Sequence, residues 1–105
     1  MKIVKIKLSC GYVGEYVADF KPGDLITAYQ KGYHRFVKYE DRGEGNVPLI
    51  HYTRANNFNG KPCNSKTVLV CDAAYCRPAI IHLNTAIQQK KTEIEGLEIL
   101  RNSIP

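Results

Sequence analysis

The sequence predicts one mainly β domain that ends in an amphipathic α-helix. Three observations predict it: a strict alternation of apolar and basic residues at the N-terminus, short apolar runs separated by Gly- and Pro-containing turns, and a change to helical periodicity after Pro78. A chain of 105 residues has room for one hydrophobic core. We therefore expect a β body over residues 1–78 and a helix over residues 79–105, in a single domain.

The first strand is predicted over residues 2–8, where apolar and lysine side chains alternate with the period of a strand that has one solvated face. Its apolar side is formed by Val4, Ile6 and Leu8. A shorter second strand is predicted around Tyr16 because the glycines before it indicate a bend.

The next strands are preceded by turns whose residues favour a particular backbone conformation. In Lys21–Asp24, proline presets the first central dihedral angle and glycine accepts the positive φ of a type II turn. Lys31 and Gly32 form the next turn, so a hairpin is expected there. Further strands are predicted over residues 25–29, 33–39, 47–54 and 66–72. Five or six short strands at this spacing favour a small antiparallel barrel or sandwich.

Alternation also predicts the two faces of the strand over residues 33–39. Strict period two places every second side chain on the same face. This alternation places one set of side chains on one face of the strand and the other set on the opposite face. The two sets are Arg35, Val37 and Tyr39, and His34, Phe36 and Lys38.

The C-terminal segment has a helical stripe of apolar residues, and Pro78 suits the start of a helix. Lys90 interrupts the stripe, which argues against a long regular coiled coil. The helix is expected to pack either on the β body or on a second copy of the chain, with self-association slightly preferred and a homodimer as the simplest result. The stripe consists of Ile80, Leu83, Ile87, Ile94, Leu97, Leu100 and Ile104, and the self-association residues are predicted to be Ile87, Ile94, Leu97 and Leu100.

Residues 20–39 resemble the opening of small SH3-like barrels. The segment FKPGDLITAY is followed by GYHRFVKY, and in those barrels a Pro-Gly-Asp-apolar turn leads into a strand, with an aromatic and a basic residue on the next strand. The resemblance implies a small antiparallel SH3-like β-barrel body. One fold hosts many functions, so the resemblance names no ligand.

No motif of a known catalytic or cofactor site is present in the sequence. It contains no nucleophile elbow, no phosphate-binding glycine loop, no zinc-protease helix and no dinucleotide fingerprint. We expect no enzymatic activity, no catalytic residues and no cofactor. His34, His51 and His82 are expected to be surface or hydrogen-bonded structural residues.

Four cysteines are present without the Cys-x-x-Cys spacing of a zinc knuckle, so we expect reduced thiols and no metal. Cys71 and Cys76 could ligate zinc only if Cys63 or a histidine joined them. No apolar run is long enough for a signal sequence or a membrane span. A cytoplasmic location without a membrane partner is expected.

The net charge of +5 belongs to the β body, because residues 1–78 contain twelve Lys or Arg and seven Asp or Glu. Basic residues interleaved with tyrosines suit phosphate contacts and base stacking, so a nucleic-acid partner is predicted on the hairpin face. The same pattern also describes an ordinary solvated sheet face. The predicted binding residues are Tyr29, Lys31, Tyr33, His34, Arg35, Lys38, Tyr52 and Arg54, within a wider set that includes Tyr39 and His51.

The sequence thus predicts a non-enzymatic binding or adaptor module. Nucleic-acid binding is the first hypothesis. A protein partner is the alternative, as for an interaction or structural accessory protein, including one encoded by a phage. A pocket for a small phosphorylated ligand is a third and weaker interpretation.

Overall fold

The computed structural model of the chain describes residues 1–63 and 65–103. The β body contains seven strands and a 3-10 turn, and the chain ends in one long helix. Ile104, the last residue of the predicted helical stripe, lies outside the described residues. The elements are β1 (Ile3–Lys7), β2 (Val13–Val17), β3 (Leu25–Thr27), β4 (Tyr33–Glu40), β5 (Leu49–Asn56), β6 (Val68–Asp72), the 3-10 turn (Ala73–Tyr75), β7 (Arg77–Pro78) and α1 (Ala79–Asn102).

The strands form two antiparallel sheets. Strands β1 and β2 pair with each other, and the other five follow the order β6-β5-β4-β3-β7. The mainly antiparallel β fold with one C-terminal helix agrees with the sequence-based prediction. Over the described residues the two sheets do not close into a barrel, so the SH3-like barrel stays a prediction.

A β-bulge in β4 overturns the predicted alternation of its faces. The register with β5 shifts between Phe36 and Lys38, so that one extra residue enters β4. Arg35 pairs with Thr53 and Lys38 pairs with His51. These two partners lie two residues apart on β5, so Arg35 and Lys38 share the outer face of the sheet. Simple alternation had separated these two basic residues and was wrong.

The core lies between the inner face of the large sheet and the β1–β2 hairpin. Val4, Ile6 and Leu8 are half-buried while the lysines between them are exposed, as the alternation predicts. The fully buried apolar residues come from both sheets and from the turn after β6. They include Val17, Ile26, Phe36, Ile50, Tyr52, Ala73 and Cys76.

The helix α1 begins at Ala79, directly after the short strand β7, with Pro78 at its N-cap position. Its first turns contact β3 and β7, and Ala79 is buried there. Within the described part of the chain, no helix combines the length and the apolar character needed to cross a membrane.

Candidate interaction surfaces

The far half of α1 lies away from the β body. Every residue from Ile87 to Asn102 is exposed, whereas Leu83 and Ala86 in the preceding turns are half-buried. The predicted self-association residues Ile87, Ile94, Leu97 and Leu100 are 53 to 66% exposed. The molecule is accordingly elongated, with principal extents of 67 × 33 × 20 Å.

Three of these residues lie on one side of the helix. At 100° per residue, Ile87, Ile94 and Leu97 fall within an arc of about 80°, which also contains Lys90 and Arg101. Leu100, the fourth predicted residue, lies about 60° outside this arc. Ile99 is also exposed but lies on roughly the opposite side. We call the surface formed by Ile87, Ile94 and Leu97 the free apolar face.

Charge varies along the same half of the helix. Lys90 and Lys91 come first, Glu93, Glu95 and Glu98 follow within two turns, and Arg101 lies in the last turn. A second helix that runs in the opposite direction would bring Lys90 and Lys91 beside the acidic turns.

Aromatic contacts and a hydrogen bond fix the near half of the helix. The Tyr33 hydroxyl lies 2.8 Å from Nδ1 of His82. Phe58, from the loop after β5, stacks on the His82 ring with centroids 4.4 Å apart. Because Tyr33 belongs to β4, this cluster holds the first turns of α1 against the sheet.

Of the lysine and arginine residues predicted to bind nucleic acid, three are exposed and one is half-buried. Lys31, Arg35 and Lys38 are exposed, and Tyr29 is 74% exposed. Arg35 Nη1 donates to the Gly23 carbonyl at 3.0 Å, so its guanidinium is directed along the edge of the hairpin. Arg35 and Lys38 share the outer face of β4, Lys31 lies in the turn before that strand, and the Tyr29 ring packs against Tyr75 with centroids 5.4 Å apart. We call these four residues, Tyr29, Lys31, Arg35 and Lys38, the basic hairpin face.

Other predicted members of that surface point into the protein. Tyr33, His34 and Tyr52 are 3%, 0% and 1% exposed, so their rings are not available for base stacking in this conformation. Arg54 is half-buried beneath the turn, where Nη2 lies 3.5 Å from the Lys31 carbonyl. Sequence alone could not separate these residues from the exposed ones, because tyrosine suits both a core and a solvated strand face.

All three histidines have hydrogen-bond partners. His34 Nε2 lies 3.0 Å from the Gln30 carbonyl, and His51 Nε2 lies 3.2 Å from Glu40 Oε1. Burial lowers the pKa of His34 below its usual value of 6.5, and the neighbouring Arg54 charge acts in the same direction against the Gln30 hydrogen bond. His34 is therefore held neutral, as a structural residue of the sheet.

Two cysteines meet beside the core, a contact that sequence spacing did not reveal. Cys71 Sγ and Cys76 Sγ are 3.4 Å apart, while Cys63 Sγ instead contacts Asn57 Oδ1 at 3.2 Å. All four cysteines are free thiols. Among residues 1–63 and 65–103, no three His, Cys, Asp or Glu side chains converge to hold a metal ion.

A cleft of about 570 Å³ opens where the start of α1 meets the body. Phe20, Leu25 and Ile80 form much of its apolar lining, and the carboxylates of Asp19 and Asp24 also lie along it. Met1 also lines the cleft, and its N-terminal ammonium group lies 3.8 Å from Asp19 Oδ2. The cleft thus holds groups of both signs, and a pocket for a small phosphorylated ligand stays a prediction.

Comparison with protein-family models, with curated proteins and with solved structures gave no match to this chain.

Proposed function

We propose that this protein is a non-enzymatic binding module that assembles through its C-terminal helix, and that the partner of the free apolar face is a second copy of the chain. The observation that carries the proposal is the complete exposure of α1 from Ile87 onward. In proteins most of the stability of a helix comes from tertiary packing of one of its faces, and the exposed part of α1 has no such packing. Packing against a partner would supply the missing stabilisation.

Charge argues for a second copy in the opposite direction. In an antiparallel pair that crosses near Ile94, Lys91 of each helix lies near Glu98 of the other. Ile94 and Leu97 then meet between the two helices and are removed from water. Burial of apolar area supplies most of the free energy of such an association, and the ion pairs fix its direction.

Two matched substitutions test the proposal. Glutamine is a good helix former, so Ile94→Gln and Ile99→Gln change side-chain polarity with little change in helix propensity. The two isoleucines are similarly exposed but lie on roughly opposite sides of α1. Only the first belongs to the free apolar face.

The measurement is the melting temperature over a range of protein concentrations. A dimer melts at higher temperature as its concentration rises, whereas a monomer does not. We expect the wild type and Ile99→Gln to show this dependence, and Ile94→Gln to lose most of it. Equal behaviour of the two variants, or a concentration-independent wild type, would contradict the proposal.

Nucleic-acid binding is the second candidate function, and the basic hairpin face supports it. Three exposed cations and an exposed tyrosine on neighbouring elements could contact phosphates and stack on an unpaired base. Antiparallel assembly would present two copies of this face. The cytoplasmic location and the SH3-like relationship stay predictions that fit either binding role.

A further inference from the structure

Neither Cys71 nor Cys76 belongs to the two proposed interaction surfaces, although the backbone of Tyr29 contacts Cys71. Cys71 is near the end of β6, and Cys76 follows the 3-10 turn and directly precedes β7. Their sulfur atoms are 3.4 Å apart, within contact distance but not bonded. Cys76 is fully buried, whereas Cys71 is only half-buried.

The two thiols have different reactivities. The pKa of Cys71 is lowered by the contact between the two sulfur atoms and by a backbone hydrogen bond from Tyr29, against burial. The pKa of Cys76 is raised by the same contact and by its deeper burial. Thiolates are the reactive form of cysteine. Cys71 is thus the thiol that would react first.

We propose that Cys71 and Cys76 form an oxidisable dithiol site that hydrogen peroxide converts into an intramolecular disulfide. The Cys71 thiolate attacks one peroxide oxygen, the O–O bond breaks, and Cys71 becomes a sulfenic acid as hydroxide leaves and is protonated to water. Cys76 then loses its proton, and its sulfur attacks the sulfenic sulfur and releases a second water. Two thiols are oxidised by two electrons, and one peroxide is reduced to two waters.

The geometry requires little movement. A disulfide bond is about 2.0 Å long, so the sulfur atoms must approach by about 1.4 Å. The Cys76 backbone N–H donates to the Ala73 carbonyl at 3.0 Å, which holds the turn in the conformation that brings the sulfurs together. Because Cys76 leads through β7 into α1, the disulfide would constrain the connection between β6 and the helix.

Tryptic mapping of the oxidised protein tests the site directly. Trypsin does not cleave between Arg77 and Pro78, so Cys71 and Cys76 occur together in the peptide of residues 67–90, while Cys10 and Cys63 fall in two other peptides. After treatment with an equimolar amount of peroxide and then iodoacetamide, we expect this peptide to be lighter by two hydrogens and unalkylated. Dithiothreitol before alkylation should restore both modifications.

The Cys76→Ser variant is the matched control. It keeps a hydrogen-bond donor beside Cys71 but cannot form the disulfide, so the sulfenic acid should persist long enough to be trapped by dimedone on residues 67–90. Alkylation of both cysteines in peroxide-treated wild type, or a disulfide only between two chains, would overturn the proposal. The wild-type result decides the matter even if the variant fails to fold.

Discussion

The Tyr39 hydroxyl donates to the Val17 carbonyl at 2.6 Å and joins the large sheet to the β1–β2 hairpin. The same oxygen accepts the Phe20 backbone N–H at 3.1 Å. One backbone group at the end of β2 and one in the segment that follows it thus depend on one side chain of β4. Burial raises the pKa of Tyr39, so this hydroxyl stays protonated at neutral pH and can act in both roles.

Replacing Tyr39 with phenylalanine should destabilise the fold. The ring and its contacts remain, but one carbonyl and one N–H lose their partner, and each buried unsatisfied group costs about 1–3 kcal/mol. We expect the free energy of unfolding in urea to fall by about 2 kcal/mol. Tyr12→Phe removes a hydroxyl from a side chain that is 76% exposed and serves as the control. An equal, small effect of both variants would show that the Tyr39 hydroxyl does not join the sheets.

The hydrogen bond between Tyr33 and His82 predicts a smaller and local effect. Tyr33→Phe removes the link between β4 and the first turns of α1, and a net loss of about 1 kcal/mol is typical of one hydrogen bond. Hydrogen exchange of the α1 amides near His82 should accelerate more than exchange in β5. Unchanged exchange near His82 in a folded variant would mean that aromatic packing alone holds the helix.

His34 predicts a pH dependence of stability. Its pKa is lowered in the folded state, so the unfolded chain takes up a proton more readily. The stabilising contribution of neutral His34 is complete above the pKa of the unfolded chain, about 6.5, and is lost as the pH falls through the lower pKa of the folded protein. The free energy of unfolding should therefore decrease as the pH falls below about 6.5. The variant His34→Gln, which keeps a side-chain donor for the Gln30 carbonyl, should show a weaker decrease than His51→Gln. Equal pH profiles for the two variants would rule out this role for His34.

The basic hairpin face predicts a salt-dependent affinity for single-stranded nucleic acid. Removing two cations with Arg35→Ala and Lys38→Ala should weaken binding and reduce the logarithmic salt slope by about one for each lost phosphate contact. The double variant Lys5→Ala and Lys7→Ala removes the same charge from exposed positions of β1. If both double variants lose affinity equally, the attraction comes from net charge and not from the hairpin face.

Local patterns predicted most of the elements because each pattern has a direct physical cause. The alternation around Val4 and Ile6 gave β1, the turn ending at Asp24 led into β3, and the apolar spacing after Pro78 gave α1. The β-bulge before Lys38 could not be foreseen, since an extra residue leaves no mark in composition. Because of the bulge, Arg35 and Lys38 lie on the same face of β4, whereas strict alternation predicted opposite faces.

The site residues were harder to predict because burial is a tertiary property. Tyr29 and Tyr33 lie on either side of the same turn, yet one is exposed and the other packs between the sheet and α1. The contact between Cys71 and Cys76 depends on the 3-10 turn between them. The helical stripe predicted an apolar surface at Ile94 but could not say what covers it.

Sedimentation equilibrium of the wild-type chain measures self-association through the free apolar face. We expect a mass that approaches twice the 11.9 kDa of one chain as concentration rises, and a return toward one chain on dilution. Ile94→Gln should shift this equilibrium toward the monomer, and Ile99→Gln should leave it in place. A wild type that sediments with the mass of one chain at every concentration would show that the free apolar face does not form a dimer.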